Sequence, residues 1–295
     1  MDFRRLCDRL SPDNSQKDGS SSLSPAAGQD DPSSTRLAAL AQLEQASDEL
    51  VLPSAVVDAL LGCLGDHNKA VQRRAAQQLI RFSSRQPAII ELLRDRLTDP
   101  QPRIRWTAAY ALAQTPLPEP WPLAALIENL GHQESDLRWA AATALLQLLE
   151  RHTSVLTRLL DVARSGNPVQ RRMALYCLRD ANQTGPAARQ VYLASLSDQQ
   201  AGVRLAGLSC LGRCPPHNAD TEADAEAALI RLLATDPESG VRRASAASLG
   251  QRGSRSPAVV NALHRAAAGP DPSLARAAAA ALKKLHPPPA EDQPS

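Results

Sequence analysis

Aromatic side chains are scarce in this sequence: 3 Trp, 3 Tyr and 2 Phe, or 3% of 295 residues. The chain is dominated instead by Ala and Leu, so a large sheet core is not expected, because strands draw their packing from aromatic and β-branched residues. Long apolar runs are also lacking; each is short and broken by charge, which leaves no membrane-spanning helix. The N-terminal MDFRRLCDRL has no uninterrupted apolar stretch of the secretory kind, and a cytoplasmic protein is expected. The five cysteines (Cys7, Cys63, Cys177, Cys210, Cys214) form an odd set without a disulfide-framework spacing. Several fall at expected core positions, where a reduced thiol acts as a small hydrophobe. The 14 glycines build neither a phosphate-binding loop nor a dinucleotide fingerprint. No nucleophile–base constellation can be assembled, so enzymatic activity stays an open question. Cys210, Cys214 and His217 have a spacing that a zinc ion could use, but no fourth ligand is near, and no metal or resident cofactor is expected.

Strong net charge is missing too. The formal charge is +2; segments 11–34 and 286–295 carry −3 and −2, which leaves the remainder about +7. That is mildly basic and below the excess usual for a nucleic-acid binder, which argues against nucleic acid as the main partner.

What the chain has is repetition. DPQPRIRWTAAYAL at 99–112 returns as DQQAGVRLAGLSCL at 198–211 and as DPESGVRRASAASL at 236–249. Looser copies begin near residues 30, 66, 132, 166 and 269. Taken as an anchor, the residue before the arginine position falls at 35, 71, 104, 137, 170, 203, 241 and 274, so the spacings are 36, 33, 33, 33, 33, 38 and 33. A fixed period of this size marks a quasi-one-dimensional array.

Each period holds two helices. In the second, the anchor and the residues four, five and eight later share one face, so Ile104, Ala108, Ala109 and Leu112 are expected to be buried, as are Leu137, Ala141, Ala142 and Leu145. The first helix commonly opens on proline, as at Pro53, Pro87, Pro186 and Pro257, because the first helical N–H has no intrahelical partner to lose. One array is expected over 1–285, with residues 2–10 as its first helix. A polar, disordered insertion is expected at 11–32 inside the first repeat, a short insertion at 212–224, and a disordered tail at 286–295.

These repeats resemble the HEAT family, in particular its phycobilisome-lyase-like variant. The resemblance implies an all-α, right-handed superhelical α-solenoid of about eight HEAT-like two-helix repeats. The Asp and the Arg six residues later look like that family's paired Asp and Arg, which link each inter-helix turn to its neighbour. The pairs would be Asp30/Arg36, Asp99/Arg105, Asp198/Arg204 and Asp236/Arg242. Repeat two has Gln72 at the arginine position and repeat eight has Ala275. IRWTAAYAL at 104–112 and LRWAAATAL at 137–145 are similar to the Arg-aromatic segment of bilin lyase subunits, without the second aromatic of each doublet.

The second helices of such an array usually line its concave face. Two residues past the anchor, the chain reads Leu37, Arg73, Trp106, Trp139, Arg172, Leu205, Arg243 and Arg276; Tyr110 and Tyr176 lie one turn further on. Arg103, Arg105, Trp106, Tyr110, Arg138, Trp139, Arg172 and Tyr176 are therefore the candidate partner or ligand site. Exposed aromatics beside arginines have the composition of a binding hot spot, although inter-repeat packing would also use a Trp where neighbours are Ala. The leading expectation is a protein-binding scaffold or adaptor gripping another protein on that face. The first alternative is a bilin lyase subunit, with a bilin as transient ligand and a phycobiliprotein and a second lyase subunit as partners. The second is a nucleic-acid-binding HEAT-like protein using Arg73, Arg172, Arg243 and Arg276 against phosphates.

Overall fold

The computed structural model describes residues 1–11, 32–215 and 219–285. Among them are sixteen α-helices, one short 3-10 turn and no strand. They follow one another as eight consecutive pairs. The first four are α1 (Phe3–Leu10) with α2 (Pro32–Glu44), α3 (Ser54–Cys63) with α4 (Lys69–Ser83), α5 (Ala88–Asp95) with α6 (Pro102–Ala113), and α7 (Leu123–Asn129) with α8 (Ser135–Leu149). The last four are α9 (Ser154–Ser165) with α10 (Pro168–Asp180), α11 (Pro186–Ser195) with α12 (Ala201–Leu211), α13 (Ala219–Thr235) with α14 (Ser239–Arg252), and α15 (Pro257–Ala267) with α16 (Pro272–Leu285). No helix of the described residues is long and apolar enough to cross a membrane.

Apart from Ser11 and Pro32, the expected insertion at 11–32 lies outside the described residues, as does the tail 286–295. The expected insertion at 212–224 is helical from Ala219 onward, where α13 begins. Contacts divide the chain into two compact units: Met1–Asn129 with Thr143–His152, and Leu130–Ala142 with Thr153–Ser295.

Within the first unit α1 packs on α3, while α4 packs on both α2 and α6, so first helices meet first helices and second helices meet second helices. Leu40, Leu43, Leu60, Leu79 and Leu112 are wholly buried in this core. The second unit repeats the scheme, with α9 on α11 and α13 on α15 in one layer and α10, α12, α14 and α16 in succession in the other. Small residues on the second helices permit this stacking: Ala108 and Ala109 are 0% exposed in α6, and Ala141 and Ala142 are buried in α8. The anchors Ile104 and Leu137 are only half-buried, so the buried face is centred on the small residues one turn further along.

Where helices approach most closely, Ala gives way to Gly. A Cβ placed on Gly250 of α14 would lie 2.8 Å from both Cα and Cβ of Ala281 on α16. Gly250→Ala gains about 1 kcal/mol of helix propensity but forces these backbones apart, a strain of about 1–3 kcal/mol. Net destabilisation in urea unfolding is expected, and a more stable variant would show that α16 yields freely. Gly253, at φ 72°, ends α14 in the left-handed conformation that a side chain would strain.

Candidate protein-binding surface

The arginines that follow the anchors are turned to the inter-helix turns. In the second unit, Arg171 donates from Nη1 to Gly166 O at 2.8 Å, and from Nε and Nη2 to the two carboxylate oxygens of Asp198 at 2.8 and 2.9 Å. Arg204 repeats the geometry, with Nη1 on Asp198 O and Gln199 O at 2.9 and 3.1 Å and its fork on Asp236 at 2.7 and 2.8 Å. Arg242 holds Asp236 O and Pro237 O at 2.8 and 3.1 Å and lies 3.7 Å from Asp271. The same aspartates accept the amides that open the next helix, Gln200 N for Asp198 and Glu238 N for Asp236. The turns at Asp198 and Asp236 are thus each tied to the preceding repeat by bidentate, charge-assisted bonds, the strongest kind available to a side chain.

In the first unit Arg36 meets Asp66 at 2.6 Å. Gln72 keeps only the turn contact, donating to Asp66 O. Arg105 takes Asp99 O and Pro100 O at 2.9 and 3.2 Å and finds its carboxylate in Glu128 at 3.0 Å. The Asp–Arg pairs that the resemblance implies do link turn to neighbour, but within one repeat their carboxylates do not pair with that arginine. Arg105, Arg204 and Arg242 bond the main-chain oxygen of their own Asp99, Asp198 and Asp236, and in the continuous part of the ladder the carboxylate belongs to the arginine of the preceding repeat. Asp30 lies outside the described residues.

Burial alone would raise the Asp198 and Asp236 carboxyls. The hydrogen bonds from Arg171 and Arg204, with those from the Gln200 and Glu238 amides, outweigh it and hold both below the usual carboxylate range. Asp271 is also lowered, first by the Leu274 amide.

The remaining candidate residues divide between the units. In the first, Arg103 Nη1 lies 2.6 Å from His67 Nδ1, Trp106 is half-buried and Tyr110 is 36% exposed. In the second, Trp139 of α8 is 48% exposed and stacks on Tyr176 of α10, with ring centroids 5.9 Å apart and planes 10° from parallel. The Arg179 guanidinium lies 4.7 Å from the Tyr176 centroid and is held flat by two bonds to Asp180 at 2.8 and 3.2 Å. Arg172 lies against Gly202 of α12. Trp139, Tyr176 and Arg179 are thus brought together, and Arg105 and Arg138 are placed at the turns instead.

A family model of HEAT repeats matches residues 20–113, 57–146 and 191–283. This chain belongs to the HEAT-repeat family. Its hairpins resemble those of the E. coli protein YibA, with a TM-score of 0.53 at 15% identity over 96% of this chain and 94% of that one. They also resemble the karyopherin Kap121p bound to the extreme C-terminus of the protein phosphatase Cdc14p, with a TM-score of 0.61 at 15% identity over 85% of this chain and 32% of that one. Kap95p, whose binding induces the switch loops of RanGDP to adopt the GTP-bound conformation, gives 0.58 at 14% identity over 96% and 41%. The likeness is one of fold. No curated protein matches the chain significantly.

Two features of these HEAT repeats escaped the sequence reading. Arg179 stands three residues after Tyr176, on the same helix face, and that offset was the available signal. The second is a buried charge cluster. Glu222 of α13 pairs with Arg252 of α14 and, at 3.4 Å, with Arg189 of α11. Arg252 also donates to Leu211 O at 2.9 Å, and Arg189 to Thr184 O at 3.0 Å and to Pro215 O. The three lie 33 and 30 residues apart, close to one repeat period, which was the only trace of their meeting.

Burial disfavours the thiolate form of the cysteines, Cys7 included. Burial pushes Cys63 up to about 11 and Cys177 to about 12, and raises Cys210 and Cys214 as well. Cys210 donates to Leu175 O at 3.3 Å inside the core. His217, the third member of the zinc candidate, lies outside the described residues.

Proposed function

We propose that this chain is a protein-binding HEAT scaffold. It holds an acidic segment of a partner protein against the outward side of the second helices of its second unit. The observation carrying this reading is the Trp139–Tyr176 stack, in which an exposed Trp139 is fixed in place against a half-buried Tyr176. Arg172, Arg243 and Arg276 sit on α10, α14 and α16 with no carboxylate partner among the described residues, and Arg243 and Arg276 are exposed. Ordered aromatics anchor a partner with little loss of side-chain entropy, and unpaired arginines favour carboxylates. The solved structure of Kap121p with the C-terminus of Cdc14p is an example of a chain segment held by a similar fold.

Recovery of a partner by the full chain, with quantitative titration of the purified pair, tests the proposal. Trp139→Ala should weaken binding about thirty-fold, on the order of 2 kcal/mol. Arg172→Glu should weaken it further and remove most of its salt dependence, with little change in melting temperature. Variants that bind like the parent would overturn the assignment, and a preference for DNA over the recovered protein would favour the phosphate-binding alternative. A bilin-handling role draws no support from Arg105, a residue of its motif, which is bonded to turn carbonyls and to Glu128.

A further inference from the structure

The ladder arginines offer one uniform geometry with one exception. Arg138 of α8 donates from Nη1 to His132 O at 2.7 Å and to Gln133 O at 2.6 Å, the same two turn carbonyls that Arg204 takes in its own repeat. Those bonds orient the Nε–Nη2 edge of Arg204 onto both oxygens of Asp236, and the equivalent edge of Arg171 onto Asp198. Where Arg138 should find its aspartate, five residues before the next anchor, the chain has Ser165, whose hydroxyl donates back to Asp161 O at 2.9 Å. Arg138 Nε is buried and has no hydrogen-bond partner among the described residues.

Two substitutions preserve the local helix starts without restoring a carboxylate. His132 Nδ1 accepts the Glu134 amide at 3.0 Å, doing what Asp198 does for Gln200. Gln170 Oε1 accepts the Asn167 amide at 3.1 Å in a capping box. Arg105, whose following repeat also lacks the aspartate, is served by Glu128. Of the ladder arginines Arg36, Arg105, Arg138, Arg171, Arg204 and Arg242, Arg138 alone lacks a carboxylate within ion-pair distance among the described residues.

We infer that the Arg138 fork is a carboxylate-binding site, in which a carboxylate from outside the ladder takes the place that Asp198 and Asp236 occupy in the later repeats. A guanidinium with its fork unmatched keeps its desolvation penalty and forgoes two charge-assisted bonds, so a planar two-oxygen anion is the ligand that fits. The carboxylate is either a free small acid or an Asp or Glu side chain of a bound chain. Arg138 as a residue is only half-buried. This site lies at the inter-helix turn and stands or falls separately from the Trp139–Tyr176 surface.

The test uses the full chain in chloride and in acetate at equal ionic strength. Acetate at ten times its dissociation constant should raise the melting temperature by about 3 °C over chloride. Arg138→Lys keeps the charge and removes the fork, and should abolish that difference. In the unmodified protein the Arg138 Nε–H resonance should shift downfield with acetate and not with chloride, a readout independent of any variant's folding. Acetylated Gly-Glu-Gly amide, with its Gln counterpart as control, separates the two sources. A response to the Glu peptide at concentrations where acetate is silent assigns the site to a bound chain, and equal responses assign it to free acids. Indistinguishable behaviour in acetate, Glu peptide and chloride, or an undiminished response in Arg138→Lys, would overturn the inference.

Discussion

Glu222→Gln is expected to lower the unfolding free energy by about 3 kcal/mol, within the range for breaking a buried ion pair by removing one partner. The size follows from what is left behind. The Arg252 side chain is 2% exposed and that of Arg189 8%, and among the described residues Glu222 is the one carboxylate within ion-pair distance of either. Neutralising it strands two buried cations beside each other, and their other bonds, to Leu211 O, Thr184 O and Pro215 O, are all to neutral carbonyls. A double variant, Glu222→Gln with Arg252→Met, should recover part of the loss because one stranded charge goes with it. Urea unfolding of the single and double variants measures both; additive losses would show that the pair is not coupled.

The second large effect is expected at Asp236. Asp236→Ala removes the carboxylate from Arg204, itself 9% exposed in its side chain, and frees the Glu238 amide, at a cost of about 3 kcal/mol at neutral pH. The pH dependence follows from the lowered carboxyls of Asp198 and Asp236. A folded-state value below the unfolded one, about 3.9 for Asp, contributes stability that is complete above the unfolded value and is lost as pH falls through the folded one. Unfolding free energy should therefore be level in these two terms from about pH 7 to 5 and fall below about pH 4. The gap between parent and Asp236→Ala should narrow over the same acidic interval. A gap that stays constant down to pH 2 would mean that the Arg204–Asp236 bond contributes nothing to folding.

Much of the fold was legible because its causes are local and periodic. The anchors from 71 to 274 each fall inside the second helix of a hairpin, and the Ala pairs at 108–109 and 141–142 are buried as the helical spacing requires. The ladder was legible in its residues and not in its connections. Asp198 and Arg204 are six apart in sequence, yet the carboxylate that Arg204 grips is Asp236, thirty-two residues on. Only the stacking of one hairpin on the next brings that pair within 2.7 Å.

The candidate surface divides the same way. Reading two past the anchor picked out Trp139 and Arg172, and one turn more picked out Tyr176; their faces depend on helical periodicity, which a sequence carries. That Trp139 and Tyr176 lie ring to ring, that Arg179 caps the stack, and that Arg138 turns away to the turn carbonyls depend on packing between neighbouring helices. The sequence by itself determined the class of fold, the number of repeats and the small-residue face of each second helix, since these follow from period, propensity and side-chain size. Tertiary structure alone decided which arginine meets which aspartate, that Glu222 is buried between two cations, and that Arg138 is left without its acid. Those are contacts about one repeat apart, and their geometry exists only once the hairpins have stacked.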